Sequence, residues 1–250
     1  MAIDLAGRTA LVTGGGTGVG AAIAVALAEA GANVVVTGRR MEPLQSLATA
    51  HDNIRAITAD VTDRVSLQAV FREAGPVSIV VANAGAAESM PFSKLSPDQW
   101  QATLDVNLTG VFNSLQCGLR SMSQLGWGRM VVIASSAGLK GYGYVSAYVA
   151  AKHGAVGLVR SLAIELAGKN ITVNALCPGY TQTPMLERTL ENISAKTGMS
   201  RDEAAGMLLK DLPTGRFVQP EEIAQEVLRL CRDDASGVTG QAIVMPEAIA

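Results

Sequence analysis

The sequence predicts an α/β fold, a doubly wound parallel sheet of seven strands that is covered by helices on both faces. Short apolar runs rich in β-branched residues alternate along the chain with longer segments of helical pattern. Such uninterrupted apolar strands are typical of parallel sheets whose two faces are both buried. Hydrophobic residues make up 48% of the 250 residues and charged residues only 17%, so we expect a single domain with a sizeable core.

The alternation assigns the elements in chain order. Strands are predicted at Thr9–Thr13, Asn33–Thr37, Ile54–Thr58, Val77–Val81, Arg129–Ala134, Ile171–Leu176 and Gln241–Met245. Helices are predicted at Ala21–Ala30, Pro43–Ala50, Val65–Ala74, Gln99–Ser123, Ser146–Ala167 and Glu221–Cys231. Right-handed crossovers between parallel strands place a ligand crevice at the carboxyl ends of the strands. The polar, helical segment of about 181–212 interrupts the rhythm, and we expect it to cover this crevice as a substrate lid.

Charge and cysteine content argue against several classes of protein. Lys and Arg number 20 and Asp and Glu 22, and this formal charge of −2 disfavours nucleic-acid binding, which needs a basic face. The three cysteines form no CxxC pair, so we expect no disulfide framework and no structural zinc. Elsewhere, too, no cluster has metal-ligand spacing. The N-terminus lacks a signal-peptide pattern and no apolar run reaches about 18 residues, so we expect a cytoplasmic protein outside the membrane.

A glycine-rich turn, Thr13–Gly20, lies between the first strand and the first helix. Gly14 suits the tight turn, Gly18 lets the backbone approach a pyrophosphate, and Gly20 lets the helix pack closely on the strand. The helix N-terminus adds free N–H groups and the positive end of its dipole. The turn therefore predicts a dinucleotide site, with a glycine-rich turn that binds no ligand as the alternative.

Tyr148 and Lys152 are four residues apart in a helical pattern, so they share one face of that helix. A tyrosine has an ordinary pKa near ~10, and a close ammonium group favours the phenolate and lowers that pKa. The pair is thus suited to proton transfer. Ser135 directly follows the fifth strand, 13 residues before Tyr148, where its hydroxyl could donate to a substrate carbonyl. Ser136 is the neighbouring serine, and we favour Ser135.

These motifs together resemble the short-chain dehydrogenase/reductase family over essentially the whole chain. The resemblance is carried by Thr13–Gly20, Asp60, Asn83-Ala84-Gly85, Asn107, Ser135, Tyr148, Lys152 and Pro178-Gly179. It implies a Rossmann-type oxidoreductase with the tetrad Asn107, Ser135, Tyr148 and Lys152. In that scheme Tyr148 exchanges a proton with the substrate oxygen, which Ser135 polarises. Lys152 lowers the pKa of the tyrosine and binds the nicotinamide ribose, and Asn107 holds a water that links Lys152 to solvent.

The resemblance also implies a set of cofactor-binding residues, several of them at strand ends. Asp60 and Val61 should flank the adenine, and Asn83, Ala84 and Gly85 should line the adenosine-ribose side. Thr183 matches a threonine that contacts the nicotinamide carboxamide. The whole expected set is Gly14, Thr17, Gly18, Val19, Gly20, Arg39, Arg40, Asp60, Val61, Asn83, Ala84, Gly85, Tyr148, Lys152, Pro178, Gly179, Thr181 and Thr183.

The residues after the second strand favour NADP(H) as the cofactor, with NAD(H) possible. Gly38 stands where NAD-preferring relatives usually carry Asp, a side chain that would repel a 2′-phosphate. Arg39 can instead pair with that phosphate and stack on adenine. The alternative is that Arg39 and Arg40 are solvated loop charges. Thr17 is not basic, so a second phosphate clamp found in some NADP-binding relatives is absent.

For the substrate, the sequence favours a small-molecule ketone. Thr214–Phe217 before Pro220 resembles 3-oxoacyl-thioester reductases and 3-hydroxybutyrate dehydrogenases. The leading hypothesis is NADP(H)-dependent reduction of a 3-oxoacyl thioester or a related ketone. One alternative is an NAD-dependent dehydrogenase of a hydroxy acid, an alicyclic alcohol or a sugar-like alcohol. The other is a non-catalytic dinucleotide sensor. A homotetramer is the family expectation.

Overall fold

Seven strands form one sheet in a computed structural model that describes residues 3–210, 212 and 214–245. The strands are β1 Thr9–Thr13, β2 Asn33–Gly38, β3 Ile54–Thr58, β4 Ile79–Ala82, β5 Gly128–Ile133, β6 Ile171–Cys177 and β7 Ala242–Val244. Every neighbouring pair is parallel, in the order β3-β2-β1-β4-β5-β6-β7. The predicted fold class is therefore confirmed, and no strand end lies more than two residues from its prediction.

Helices cover both faces of this sheet. They are α1 Gly18–Glu29, α2 Met41–Ala50, α3 Arg64–Ala74, α4 Pro97–Leu104, α5 Gly110–Leu125, α6 Ser146–Glu165, α7 Pro184–Thr197, α8 Arg201–Leu209 and α9 Pro220–Cys231. One apolar core joins α1 and α9 to the sheet, and a second core joins α3, α5 and α6 to the opposite face. Because both faces are buried, the strands consist of nearly continuous apolar residues.

The predicted long helix Gln99–Ser123 is wrong in one respect, since it is two helices joined by a π-helical turn, Asp105–Thr109. The first helix begins where Ser96 and Gln99 exchange capping hydrogen bonds. Within the turn, the Asn107 amide donates to the carbonyl oxygen of Thr103 at 2.9 Å. A side chain that bonds to the backbone in this way competes with the regular helical pattern, and such turns are frequent at functional sites.

The carboxyl ends of the strands form the crevice that holds the candidate site. The strand order reverses between β1 and β4, which is the point where open α/β sheets bind ligands. Helices α7 and α8 follow β6 and have a small apolar cluster of their own around Leu186, Leu190 and Ala204. This pair of helices occupies most of the segment 181–212 expected to be a lid, of which residue 211 lies outside the described residues.

Candidate active site

The glycine-rich turn brings backbone atoms together more closely than side chains would allow. Gly14 and Gly18 have φ angles of +64° and +54°, which favour glycine. A Cβ on Gly20 would lie 2.3 Å from the carbonyl oxygen of Gly14, and one on Gly15 would lie 2.8 Å from Val36. The turn therefore needs glycine at these positions to hold α1 against the start of the crevice.

Thr13 and Asn83 fix this turn against the loop after β4. The Thr13 hydroxyl accepts the backbone N–H groups of Asn83 at 3.0 Å and Ala84 at 3.1 Å. In return, the Asn83 amide donates to the carbonyl oxygens of Thr13 at 3.0 Å and Gly14 at 3.1 Å. The Asn83 amide thus braces the turn, a contact between residues 70 positions apart that no local sequence signal indicates.

The start of α1 fits the pyrophosphate of a dinucleotide. Thr17 precedes the helix in an extended conformation without a side-chain hydrogen bond to its first turn, and that turn contains no acidic residue. N–H groups at a helix N-terminus are suited to binding phosphate. A Cβ on Gly18 would lie 3.3 Å from the Thr183 methyl group, so the beginning of α7 lies directly beside the turn. Val19, the second residue of α1, is half-buried.

Arg39 and Asp60 lie at the ends of β2 and β3, respectively, near the expected adenosine end of the crevice. Arg39 and its neighbour Arg40 are exposed. Partial burial raises the pKa of Asp60, but hydrogen bonds from Thr62 and the nearby charge of Arg39 outweigh it and leave that pKa below its usual value. Val61 is buried and its carbonyl oxygen accepts from the Asn113 amide at 2.9 Å, so it anchors α5 to this edge.

Ser135 and Tyr148 meet at the end of β5. The Ser135 hydroxyl accepts the N–H of Ala137 at 3.1 Å and interacts with the Tyr148 hydroxyl. Burial raises the pKa of Tyr148, and the hydrogen bond with Ser135 only partly opposes this rise. The phenol is therefore held in its protonated form across the neutral pH range.

Lys152 lies one turn of α6 beyond the tyrosine and is 3% exposed. Its Nζ atom donates to the carbonyl oxygen of Ile133 at 2.9 Å and lies 5.5 Å from the centroid of the Tyr148 ring. Burial lowers the pKa of Lys152 to about 8, an effect that the nearby Cys177 opposes. The predicted lowering of the tyrosine pKa by Lys152 is not found in this structure, since the burial of Tyr148 dominates.

Asn107 joins the tetrad to the loop after β4. It is 0% exposed, its side-chain oxygen accepts the N–H of Ala86 at 3.2 Å, and its amide donates to the Ala86 carbonyl oxygen at 2.8 Å. A Cβ on Gly85 would lie 2.9 Å from that side-chain oxygen and 3.6 Å from Nζ of Lys152. The sequence-predicted residues Gly85, Asn107 and Lys152 are therefore brought together in one small space.

The segment after β6 completes the crevice. The Pro178 carbonyl oxygen accepts the N–H of Ser136 at 2.8 Å, and the Thr181 hydroxyl donates to the Gly179 carbonyl oxygen at 3.1 Å. The Thr183 hydroxyl donates to the Thr181 carbonyl oxygen at 3.2 Å and accepts the N–H of Leu186 at 3.3 Å, which caps α7. Sequence reasoning assigned these residues to the cofactor but missed their hydrogen bonds with one another.

Across residues 3–210, 212 and 214–245, no group of three or more His, Cys, Asp or Glu side chains could hold a metal ion. None of the helices in this part of the chain is both long and apolar enough to cross a bilayer. The three cysteines are unpaired. His153 is exposed, and its Nδ1 lies 2.9 Å from the Val149 carbonyl oxygen.

Residues 8–194 match the family described as short chain dehydrogenase, which covers most of the chain and all four residues of the expected tetrad. The chain belongs to this family. Among proteins similar to this dehydrogenase, D-beta-hydroxybutyrate dehydrogenase of Rhizobium meliloti (strain 1021) is 34% identical over 251 residues, covering 95% of this chain and 96% of the relative. Acetoacetyl-CoA reductase of the same organism is 38% identical over 240 residues, covering 94% of this chain and 95% of the relative.

Solved structures agree with this assignment. A variant of actinorhodin polyketide ketoreductase, solved with NADPH, matches with a TM-score of 0.91 and 35% identity over 95% of each chain. The short-chain dehydrogenase described here is an NAD(P)-dependent oxidoreductase that acts on a small molecule. The comparisons give no support to a non-catalytic sensor.

Proposed function

We propose that this protein uses NADPH to reduce the ketone of a 3-oxoacyl thioester or a related carbonyl compound to a secondary alcohol. One observation carries the proposal. The Ser135 hydroxyl contacts a protonated Tyr148 beside the buried Lys152, and these residues lie at the same end of the sheet as the glycine-rich turn. The acetoacetyl-CoA reductase among its relatives favours a thioester. The hydroxybutyrate dehydrogenase favours a second candidate, NAD-dependent oxidation of a hydroxy acid.

In the proposed mechanism, Tyr148 donates a proton to the substrate carbonyl oxygen. Its raised pKa suits this role, because the acid form is fully populated at neutral pH. The Ser135 hydroxyl accepts from Ala137 and shares a hydrogen bond with the Tyr148 hydroxyl, and on substrate binding it would turn its own hydrogen to the same carbonyl oxygen. When bound, the nicotinamide would supply the hydride.

Lys152 and Asn107 support this step by holding the site together. One of the three Lys152 N–H donors is used by Ile133, which leaves two for the hydroxyls of the nicotinamide ribose. Both amide hydrogens of Asn107 are used, by Ala86 and Thr103. A water that links Lys152 to solvent would therefore donate to an Asn107 oxygen.

Tyr148→Phe tests the proton-transfer role. We expect turnover of carbonyl substrates to fall by about 1,000-fold, because the variant has no proton to donate. NADPH binding, measured by the quenching of protein fluorescence, should persist. Tyr144→Phe is the matched control, since the Tyr144 side chain is exposed. Full activity in Tyr148→Phe would refute the assignment.

The proposed preference for NADPH is tested by the ratio of kcat/KM with NADPH to kcat/KM with NADH. We expect the wild type to prefer NADPH and Arg39→Ala to lower the ratio by about tenfold, the effect of one hydrogen bond to a charged group. Arg72→Ala, on the exposed side of α3, should leave the ratio unchanged. A strong preference for NADH that persists in Arg39→Ala would overturn the proposal.

We further propose that the segment 181–212 acts as a lid and that the protein is a cytoplasmic homotetramer. Glu187 and Arg201 join α7 to α8 through three hydrogen bonds of 2.6 to 2.9 Å, and Lys196 donates to the carbonyl oxygen of Ser89 in the loop after β4 at 3.2 Å. Both long helices carry exposed apolar side chains, Phe112 on α5 and Ile164 on α6, which suit burial in a subunit interface. The unpaired cysteines suit a reducing compartment. Light scattering that gives the mass of one chain would refute the tetramer.

A further inference from the structure

We propose that Ser136 and Tyr142 form a second hydrogen-bonding site in the substrate pocket, which binds the thioester carbonyl while Ser135 and Tyr148 bind the ketone. The inference rests on the proposed function and adds a preference for substrates with two carbonyl groups separated by one carbon. Ser136 and Tyr142 would be substrate-positioning residues.

Geometry separates the two neighbouring serines. The Ser136 Oγ atom lies 2.8 Å from the Tyr142 hydroxyl, whereas the Ser135 Oγ atom interacts with Ala137 and Tyr148. Consecutive Cα atoms are about 3.8 Å apart, so the two hydroxyl pairs belong to adjacent positions of the chain at the end of β5. The Ser136 backbone is itself fixed, because its N–H donates to the Pro178 carbonyl oxygen at 2.8 Å.

The paired hydroxyls retain one unused hydrogen. Two hydroxyl groups have two hydrogens, and the contact between Ser136 and Tyr142 uses one of them, whichever oxygen is the donor. Both residues are only half-buried, so the other hydrogen is accessible to a ligand. A partly desolvated donor favours a ligand that offers an acceptor oxygen, because leaving it unpaired is unfavourable.

Lys140 adds a positive charge next to this pair. Its Nζ atom lies 5.2 Å from the centroid of the Tyr142 ring, and it forms no ion pair within the described part of the chain. The positive charge is attracted to the ring face, and it also attracts an acceptor oxygen that approaches the Tyr142 hydroxyl. The charge and the free hydroxyl hydrogen therefore both select for an oxygen acceptor on the substrate.

The loop that carries Tyr142 is anchored on both sides. At its start, the N–H groups of Leu139 and Lys140 donate to the Ser136 carbonyl oxygen at 3.0 and 3.1 Å. At its end, the Met90 N–H donates to the Tyr144 carbonyl oxygen at 2.8 Å, and Tyr144 has a φ of +64°. A non-glycine residue in this region is strained, and such strain persists where surrounding contacts enforce it. Tyr142 is thus held in place before a substrate binds.

The test compares two substrates, the acetoacetyl thioester of N-acetylcysteamine and an unsubstituted methyl ketone of similar length. Tyr142→Phe and Ser136→Ala should raise KM for the thioester by about tenfold, the effect of one hydrogen bond, with a much smaller change in its kcat. The loss of kcat/KM should be several times larger for the thioester than for the ketone. Ser136→Thr keeps the hydroxyl and should restore most of the loss, and Tyr144→Phe is the matched control.

The possible outcomes separate this inference from the proposed function. A wild type that reduces other carbonyl compounds but not the thioester overturns the proposed function, and the inference with it. A wild type that reduces the thioester, with KM unchanged in both Tyr142→Phe and Ser136→Ala, overturns the inference alone. Equal losses with both substrates, or a loss confined to kcat, would mean that the pair only supports the loop, which also overturns it.

Discussion

Two buried cations lie at opposite ends of strand β5, and they are bound very differently. Arg129 is the second residue of β5 and is 1% exposed, whereas Lys152 is 3% exposed and contacts the other end of that strand through Ile133. Burial lowers the pKa of both groups. The difference lies in how completely the surrounding atoms satisfy each charge.

Arg129 is surrounded by acceptors. Its guanidinium donates to the carbonyl oxygens of Gly128 at 2.9 Å, Asn170 at 3.3 Å and Arg232 at 3.3 Å, and lies 4.3 Å from the centroid of the Trp127 ring. Lys152 has one carbonyl oxygen within hydrogen-bonding distance among the described residues. A cation with a full set of acceptors has a structural role, whereas one with unused donors is available to a ligand.

The largest expected effect comes from removing the incompletely bound cation. Lys152→Met should lower kcat/KM by about 1,000-fold, since the site loses the group placed between the tyrosine and the nicotinamide ribose. Its free energy of unfolding at pH 7, measured with urea, should not fall, because a buried charge is removed as well. A free energy of unfolding below that of the wild type at pH 7 would show that Lys152 stabilises the fold, contrary to this prediction.

Arg129→Met should have the opposite outcome. We expect the free energy of unfolding to fall by about 3 kcal/mol, because the carbonyl oxygens of Gly128, Asn170 and Arg232 lose their donor together. The kcat/KM of the folded protein should remain that of the wild type. Arg8→Met is the matched control, since Arg8 lies 3.8 Å from the other face of the Trp127 ring and should contribute only about 1 kcal/mol. A catalytic defect in folded Arg129→Met would contradict a purely structural role.

The smallest effect concerns pH. The folded pKa of Lys152, about 8, lies below the ordinary value of 10.5, so protonation disfavours the folded state below pH 8. This penalty decreases as the pH rises through the interval between the two values. The wild type should therefore gain about 2 kcal/mol of stability relative to Lys152→Met between pH 7 and pH 9.5.

Urea denaturation at the two pH values measures this gain, and exposed Lys169→Met is the control. A difference between the wild type and Lys152→Met that stays constant with pH would mean that burial does not depress the pKa of Lys152.

Local patterns in the sequence were sufficient for the strands and for the Tyr148–Lys152 pair. Strands buried on both faces consist of continuous apolar runs, and residues four apart share a helix face whatever surrounds them. The π-helical turn at Asn107 could not be predicted this way, because the bonds that stabilise it reach Ala86 in a distant loop. The upward shift of the Tyr148 pKa could not be predicted from local patterns either, since it depends on how the whole fold buries the side chain.

The close contacts of Gly85 have a consequence for protein engineering. The position between the cofactor-binding loop and the tetrad has no room for one additional carbon atom, because that atom would press on Asn107 and approach Lys152. The two halves of the chain are therefore not interchangeable modules. A chimaera that takes its nucleotide-binding half from a relative must also take the residues that face position 85 from the other half.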